Sequence, residues 1–439
     1  MGGIPLTTVV IHHDHTQLPP ASDELVPVQI YGLSGLGRGD ISVIGNPVID
    51  PVKRLGVQLS PVVMDFMTIS LAVTAADTFV KRKNAADGWA REIKLQIPLC
   101  EPEPWLALQN KLEKALQFLS GDLWSLELKG SGYKPPTPYH HNDRFHLVKL
   151  RQLDSVCLFS GGLDSTIGAI DIILQGKQPF LVSHAYKGDK SRQDAIAAQL
   201  NKRYSRFAVN AYPQSANGKT DTTMRTRSIS FIAFAAVGCN AVSKANQIET
   251  VDLFIPENGF ISLNAPLTSS RIGSLSTRTT HPHFLEAIRE IFERVGIRAN
   301  IINPYRFLTK GEMIQSCLDQ NVLQTVLADT VSCSHWKRIN QQCGCCVPCL
   351  IRRAAIAKGD LQEPMLYRFQ DLKTILRDDE RRDDLFALMA AIDQSRKRAI
   401  GPWTMDSGPL PAHHIDEFKG VFVRGLREVE SFLQGENLL

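Results

Sequence analysis

The sequence lacks several features that would each assign it to a class of protein. No segment contains the run of about 18–20 apolar residues that a membrane-spanning helix requires, so we expect no membrane span. The N-terminus has no basic region followed by an apolar core, which argues against a secretory signal peptide. The formal net charge of +4 is too small to predict nucleic-acid binding. We therefore expect a cytoplasmic protein with neither a membrane nor a nucleic acid as its partner.

A disulfide framework is also absent from the pattern of cysteines. Five of the nine cysteines lie between positions 333 and 349, and such crowding is typical of a metal site in a reducing compartment. The remaining composition, 43% apolar and 21% charged over 439 residues, is that of a globular protein with two or three domains.

The most informative segment is 156–165, which reads V-C-L-F-S-G-G-L-D-S. Four apolar residues lead into a Ser-Gly-Gly turn, and a mostly apolar run follows over 167–174. This order predicts a buried strand, a loop and a helix whose first N–H groups and positive dipole end face an anion. The lysine of a Walker A loop is missing, so the usual γ-phosphate contact is not expected. A tight turn that binds nothing is the alternative interpretation.

The same segment matches the S-G-G-x-D-S signature of the PP-loop ATP pyrophosphatase superfamily at every position. The resemblance implies an enzyme that cleaves ATP between the α- and β-phosphates, adenylylates an acceptor oxygen and releases pyrophosphate. It also implies that Asp164 binds magnesium or the nucleotide. The residues implied to hold ATP are Ser160, Gly161, Gly162, Leu163, Asp164 and Ser165.

Strands and helices alternate beyond this loop. Apolar segments predict strands at 180–182, 206–210, 251–255 and 300–303, with helices opening at Ser191, Ser228 and Pro282. We therefore predict an α/β fold with a Rossmann-like parallel sheet and helices on both faces; the resemblance places it in the adenine nucleotide alpha hydrolase (HUP) class. Ligands bind outside the carboxyl ends of such strands, which directs attention to 160–165, 183–187 and 257–259.

Changes in pattern along the chain predict five regions. An alternating strand near 89–99 and a helix near 105–119 indicate an N-terminal α+β accessory domain over 1–130. The Gly- and Pro-rich segment that follows indicates a linker over 131–150. We assign the catalytic domain to 151–330, a four-cysteine site to 331–360 and a helical C-terminal extension to 361–439.

Two basic segments lie where they can complete the site. Arg225 and Arg227 precede a long apolar helix, where they either bind phosphate or form a solvated helix start. Thr309–Glu312 has the spacing of a capping box, which leaves Lys310 free, and several PP-loop enzymes resemble this chain in placing a lysine of such a segment near the site. We predict that Asp164, Lys310 and Arg227 are catalytic, the two cations offsetting charge on the α-phosphate.

Four of the clustered cysteines have the C-x-x-C spacing, or the position, of ligands in a closed, structural zinc site. These are Cys333, Cys343, Cys346 and Cys349. Cys345 is left over, and the sequence leaves open whether it or His335 replaces one of the four. An iron–sulfur cluster and a persulfide-carrying cysteine are the alternatives.

The order S-G-G-x-D-S and then C-x(n)-C-G-x-C-x-x-C resembles the 7-cyano-7-deazaguanine synthase (QueC) family over roughly 150–360. Those enzymes use ATP to activate the carboxylate of 7-carboxy-7-deazaguanine, form an amide with ammonia and dehydrate it to the nitrile. The resemblance implies an ATP-dependent ligase that forms C–N bonds, with ATP, magnesium and zinc as cofactors.

The regions on either side of 150–360 resemble the additions in longer QueC-like proteins of bacterial anti-phage defence clusters, such as the Qat and type IV CBASS systems. That resemblance implies an acceptor other than ammonia, for example the N-terminus of a partner protein from the same system, docked on the added regions. The alternatives are an ordinary 7-cyano-7-deazaguanine synthase, a PP-loop tRNA-modifying enzyme and a non-catalytic ATP-binding scaffold.

Overall fold

The architecture comes from a computed structural model. It describes residues 6–32, 39–85, 87–140, 146–184, 188–200, 205–218, 220–221, 225–267, 278–336 and 340–439.

The described residues contain ten β-strands and sixteen α-helices, numbered here in chain order. The strands are β1 Leu6–His12, β2 Leu25–Ile30, β3 Ser42–Ile44, β4 Glu92–Pro98, β5 Leu123–Lys129, β6 Ser155–Leu158, β7 Pro179–His184, β8 Ser205–Val209, β9 Val251–Phe254 and β10 Ala299–Ile302. The helices are α1 Ile49–Lys53, α2 Pro61–Phe79, α3 Glu103–Leu106, α4 Gln109–Ser120, α5 Leu163–Leu174, α6 Asp189–Gln199, α7 Arg227–Asn246, α8 Gly259–Ser262, α9 Pro282–Val295, α10 Lys310–Ser316, α11 Gln320–Val326, α12 Val347–Lys358, α13 Leu372–Leu376, α14 Asp383–Ser395, α15 Ile400–Met405 and α16 Ile415–Gly435.

The segment 155–302 forms a parallel sheet with the strand order β10-β9-β6-β7-β8. Alternate residues of its central strands enter two different cores. Cys157 and Leu181 pack with α5 and α6, whereas Val156 and Phe180 pack with α7 and α9. Helices therefore cover both faces, which confirms the predicted α/β, Rossmann-like fold. One detail differs: α6 starts after Gly188, ahead of the capping box expected at Ser191.

The strand order of this sheet creates a switch point. The chain moves outward in one direction from β6 through β7 to β8, and then returns to the other side of β6 through β9 and β10. A crevice forms outside the carboxyl ends of adjacent strands where the direction reverses, and ligands of open α/β sheets bind there. The loop after β6 and the loop after β9 consequently meet at one place.

The N-terminal region contains a second parallel sheet, with the order β3-β2-β1-β4-β5. The α+β arrangement expected for this region is thus corrected in one respect, because its strands are parallel. Ile93, Leu95 and Ile97 of β4 are buried on the face covered by α2 and α4. On the other face, Lys94 of β4 forms an ion pair with Glu127 of β5 at 3.0 Å.

Helices α2 and α7 pack against each other between the two sheets. Phe66 of α2 shows how closely the two parts are joined, since its ring lies 5.1 Å from that of Phe292 in α9. The buried apolar residues of the first sheet and those on the α7 side of the second sheet belong to one continuous core. The two sheets and their helices therefore form successive layers of a single packed body.

The same two helices bear on the expected absence of a membrane span. Both α2 and α7 are long and apolar enough to cross a membrane by length and composition, so the expectation that no such run exists was wrong. In the fold, 89% of the most apolar stretch of α2 and 72% of that of α7 are buried inside the protein. They have the burial of core helices in a soluble protein.

A buried ionic cluster also joins the N-terminal region to the second sheet. The carboxylate of Asp122 accepts two hydrogen bonds of 2.8 Å from Arg82 and one of 2.7 Å from Arg91. Asp77, which binds Arg91 as well, accepts a hydrogen bond of 3.0 Å from the hydroxyl of Thr226 at the start of α7. Buried charges require such partners, because an unpaired ion inside a protein is costly.

Helices α12 to α16 form a separate apolar core around the cysteine cluster. Large side chains from α15 and α16, including Trp403, Phe418 and Phe422, fill this core. The boundaries assigned from the sequence at 130, 150, 330 and 360 stay predictions.

Candidate active site and metal centre

The S-G-G-L-D-S segment forms the turn between β6 and α5. Gly161 has a φ of +80°, a conformation that residues with a Cβ rarely adopt. A Cβ at Gly162 would lie 3.2 Å from the Ser160 hydroxyl and 3.3 Å from the Val331 carbonyl oxygen. The backbone conformation thus favours glycine at position 161, and little space is left for a side chain at position 162.

Hydrogen bonds hold this turn in place before any ligand binds. The hydroxyl oxygens of Ser160 and Ser165 are 3.1 Å apart, and Ser165 donates to the Gly162 carbonyl at 3.0 Å. The Val331 amide donates to the Gly161 carbonyl at 3.1 Å, and the Gln193 side chain donates to the Ser160 carbonyl at 3.0 Å. The loop is therefore anchored from two other segments of the chain.

Helix α5 begins at this turn without a side-chain cap. Its first N–H groups consequently have no partner from a capping side chain, and the positive end of the helix dipole faces the same place. Ser160 is exposed at the edge of the sheet, next to these groups. The arrangement suits a phosphate or pyrophosphate group.

Asp164, in the first turn of α5, is the centre of a buried polar cluster. One carboxylate oxygen contacts the Lys310 ammonium group, and the other accepts hydrogen bonds from the Asn258 side chain at 2.6 Å and backbone at 3.1 Å. Burial alone would raise the pKa of Asp164. The Lys310 charge, together with hydrogen bonds from Glu257, Lys310 and Asn258, outweighs burial and holds that pKa well below its usual range.

Glu257, in the loop after β9, is the second acid of this cluster. Its side chain accepts a hydrogen bond of 3.2 Å from Asn258. Burial, the charge of Asp164 and a hydrogen bond to Asp164 raise the pKa of Glu257 well above its ordinary value. The neutral form of Glu257 is thus favoured more than in an ordinary glutamate, and its hydrogen bond to the Asp164 carboxylate contributes to this. The sequence directed attention to 257–259 through the strand pattern but gave Glu257 no role.

Lys310 reaches this cluster from the first turn of α10. The capping box predicted at this helix is present, with Glu312 N–H donating to the Thr309 hydroxyl at 3.1 Å and Thr309 N–H donating to the Glu312 carboxylate at 2.8 Å. The Lys310 side chain is 5% exposed, so its charge is largely shielded from solvent. The structure therefore brings together two of the three residues predicted to be catalytic.

The two arginines before α7 have different surroundings. The Arg225 guanidinium lies 3.9 Å from the centre of the Trp89 ring and donates to the Ser120 carbonyl at 3.1 Å, so the N-terminal region holds it. Arg227 lies 3.8 Å from the carboxylate of Asp189 at the start of α6. Its predicted role at the α-phosphate stays a prediction. Positions 185–187, also selected from the sequence, lie outside the described residues.

The four cysteines predicted as metal ligands come together in the fold. Their sulfur atoms all lie within 4.8 Å of one another, and all four residues are buried. The Cys343 and Cys349 sulfurs are 3.8 Å apart, and those of Cys346 and Cys333 are 4.0 Å apart. A tetrahedral zinc ion with Zn–S bonds of about 2.3 Å requires sulfur separations of about 3.8 Å. The cluster therefore fits zinc.

His335 and Cys345 lie next to the four cysteines, but their side chains are not among the four clustered ligands. His335 is exposed, and its contribution is a backbone N–H that donates to the Cys333 sulfur at 3.3 Å. The amides of Cys343 and Cys346 donate similar bonds of 3.3 Å to the sulfurs of Cys333 and Cys343. These donors stabilise negative sulfur. Cys345 is buried nearby but does not belong to the set of four.

Two curated proteins resemble the chain. The 7-cyano-7-deazaguanine synthase of Citrifermentans bemidjiense is 25% identical over 244 residues, which are 49% of this chain and 99% of that protein. The enzyme of the same name from Geobacter sp. strain M21 is 24% identical over the same shares of both chains. This chain is similar to 7-cyano-7-deazaguanine synthases. No protein-family model matches it, and no solved structure matches it.

The match covers very different shares of this chain and of the two synthases. Each of the two synthases is matched over almost its full length, whereas about half of this chain lies outside the match. Any function of the additional half must be inferred from the contacts that it makes.

Proposed function

We propose that the protein adenylylates the carboxylate of 7-carboxy-7-deazaguanine with ATP and transfers the activated acyl group to an amine. One observation carries this proposal: the S-G-G-L-D-S turn places Asp164, paired with Lys310 and Glu257, at the switch point of the sheet. The similarity to two 7-cyano-7-deazaguanine synthases supports the choice of substrate.

The chemistry has two steps. A carboxylate oxygen of the substrate attacks the α-phosphorus of ATP, the bond to the β-phosphate oxygen breaks, and pyrophosphate leaves. The amine nitrogen then attacks the acyl carbon, AMP leaves with the carboxylate oxygen, and the nitrogen loses a proton. The free amides of α5 and the hydroxyls of Ser160 and Ser165 bind the pyrophosphate, with Gly161, Gly162 and Leu163 shaping the turn.

Charge stabilisation is the main contribution of the side chains. Negative charge develops around the α-phosphorus, and preorganised cations in a site shielded from water stabilise it strongly. Lys310 and Arg227 are the cations that we assign to this task. Asp164 is the carboxylate that would hold magnesium brought in with ATP, and the ion would neutralise phosphate charge there. The four-cysteine zinc site holds the C-terminal region and takes no part in the reaction.

We further propose that the acceptor amine is the N-terminus of a partner protein in a cytoplasmic anti-phage defence system. Support comes from the half of the chain outside the match, because the two synthases are matched over 99% of their length and have no counterpart to it. The alternative is an ordinary 7-cyano-7-deazaguanine synthase that uses ammonia and makes the nitrile, and the names of both relatives favour it.

Mass spectrometry of the purified protein distinguishes between these two functions. The protein is incubated with ATP, magnesium and 7-carboxy-7-deazaguanine, once with ammonia and once with candidate partner proteins. AMP with a small-molecule amide or nitrile supports the ordinary synthase, and AMP with a deazaguanine-sized mass on a protein supports the partner ligase. No AMP in any incubation contradicts both and leaves a tRNA-modifying enzyme or an ATP-binding scaffold.

A further inference from the structure

Helix α16 places a buried glutamate against the first turn of α10. One carboxylate oxygen of Glu428 accepts a hydrogen bond of 2.6 Å from the Thr309 hydroxyl, and the other accepts one of 3.0 Å from the Gly311 amide. The Lys358 ammonium group of α12 lies 3.5 Å from the same carboxylate. The Glu428 side chain is only 2% exposed. Both of its oxygens thus have specific partners.

The fit between the two helices is close. A Cβ at Gly311 would lie 2.5 Å from a Glu428 oxygen and 2.8 Å from the Lys358 side chain, so glycine is needed for this approach. Arg424, one turn before Glu428, donates to the Glu312 carboxylate at 2.6 Å. Since Glu312 completes the capping box of α10, two residues of α16 hold the polar groups of that first turn.

These contacts lead directly to the candidate active site. Lys310 lies between Thr309 and Gly311, the two residues that Glu428 binds, and its ammonium group contacts Asp164. A displacement of this turn would therefore move the Lys310 ammonium group away from Asp164.

The same helix also supports the other side of the site. A Cβ at Gly425 would lie 2.3 Å from the Phe260 ring, and one at Gly259 would lie 3.1 Å from the Val421 side chain. Phe260 and Gly259 belong to α8, which directly follows Glu257 and Asn258. Helix α16 therefore packs against both segments that place polar groups around Asp164.

We propose that Glu428 is a positioning residue that fixes the first turn of α10 and thereby sets Lys310 against Asp164. Helix α16 is then an integral part of the active site and not a detachable addition. This inference rests on the proposed ATP chemistry for its kinetic consequence, but the position of Lys310 can be tested without it.

The test compares Glu428→Gln with Glu430→Gln. Glutamine keeps the size of the side chain and can still accept from the Gly311 amide, but its amide nitrogen cannot accept from the Thr309 hydroxyl. Glu430 lies on the same helix and pairs with Arg396, which is a contact within the C-terminal region, so its variant is the matched control. Both variants are first checked for thermal stability.

Two measurements need no substrate. Hydrogen–deuterium exchange reports the Gly311 amide, and an amine-reactive reagent followed by mass spectrometry reports the accessibility of Lys310. We expect faster exchange at 310–312 and faster labelling of Lys310 in Glu428→Gln, each by about tenfold or more, with Glu430→Gln unchanged. Equal exchange and labelling in wild type and Glu428→Gln would overturn the inference, whether or not the protein releases pyrophosphate.

Kinetics supply the second arm of the test. If the wild-type protein releases pyrophosphate, Glu428→Gln should lower kcat by about 10–100-fold while the KM for ATP stays within about threefold, because small misplacements of a catalytic group cost about that much. A purely structural role predicts a lower Tm with an unchanged kcat per folded molecule, and that result would refute positioning. A wild type without pyrophosphate release would refute the proposed function and leave the exchange result standing.

Discussion

At the scale of single residues, the cluster around Asp164 combines two acids and one ammonium group in a buried place. Asp164 is stabilised as the anion, Glu257 is stabilised as the neutral acid, and the Lys310 ammonium group contacts Asp164. Two neighbouring carboxyl groups titrate apart when one of them is stabilised as an anion and the other as an acid. The cluster therefore favours a proton on Glu257 more strongly than the surroundings of an ordinary surface glutamate would.

Replacing the central carboxylate should abolish the reaction. In Asp164→Asn the Lys310 charge loses its buried partner, so we expect pyrophosphate release to fall by about 10²–10³-fold or more and the free energy of unfolding to fall by about 3–5 kcal/mol. Asp252→Asn is the control, because Asp252, on β9, pairs with the partly exposed Lys177. Initial rates and urea titrations of both variants provide the check, and full activity of Asp164→Asn would remove the PP-loop mechanism.

Glu257 predicts a specific dependence of stability on pH. Its pKa in the folded protein lies above the ordinary value of 4.5, so the folded state binds a proton that the unfolded state releases. Stability from this group is complete below about pH 4.5 and decreases as the pH rises toward the folded-state pKa. Glu257→Gln mimics the neutral acid, so its free energy of unfolding should exceed that of wild type increasingly toward alkaline pH. Urea titrations between pH 5 and 9 measure this difference, and a constant difference over that range would contradict the assignment.

At the scale of elements, the four-cysteine cluster cross-links two segments at the centre of the C-terminal helices. It joins the segment that starts at Cys333 to the first turn of α12, and the apolar side chains of α14 to α16 pack around it. Structural zinc sites contribute their binding free energy to folding. The metal should therefore be needed for the order of these helices.

Removal of one ligand should separate the roles of the neighbouring cysteines. Cys346→Ser leaves three thiolates, so we expect the zinc content to fall well below one ion per chain and the Tm to decrease. Cys345→Ser is the matched control and should keep both, because Cys345 is outside the set of four. Elemental analysis measures zinc and iron together, and iron as the bound metal would favour a cluster over zinc. Zinc loss in Cys345→Ser would instead show that the ligand set is different.

Local patterns were sufficient for some elements. The turn at 160–165, the capping box at Thr309 and the four cysteines all depend on residues close together in the sequence, and each has the predicted geometry. The role of Glu257 could not be predicted, because it depends on contact with a residue 93 positions away. Likewise, the Thr309–Glu428 bond spans 119 positions. The parallel pairing of β4 with β1 was missed for the same reason, since strand order is a property of distant segments.

At the scale of the whole molecule, the shared core between the sheets makes the N-terminal region part of the body that contains the candidate site. Phe66 lies within this core, stacked at 5.9 Å on Trp105 and in edge contact with Phe292. Asp77 of the buried ionic cluster also crosses this junction, because it accepts a hydrogen bond of 3.0 Å from the Thr226 hydroxyl. We therefore expect the regions before and after residue 130 to unfold together.

A cavity at this junction should lower the stability of both regions. Phe66→Ala is expected to reduce the free energy of unfolding by about 3–5 kcal/mol. Leu123→Ala is the control, because Leu123 is 43% exposed on β5. Calorimetry should show one transition that moves to lower temperature for Phe66→Ala and stays in place for Leu123→Ala. Two transitions, of which only the first one moves, would show that the two regions are independent.

The pairing of α2 with α7 also imposes an order of events on the ribosome. About 150 residues separate the end of α2 from the start of α7, so at about 5–20 residues per second α2 leaves the ribosome roughly 7–30 s before its partner exists. During that interval α2, a 19-residue helix of which most residues are buried in the folded protein, has no α7 to cover it. We therefore expect nascent chains of this protein to expose apolar surface that favours aggregation until the second sheet has been synthesised.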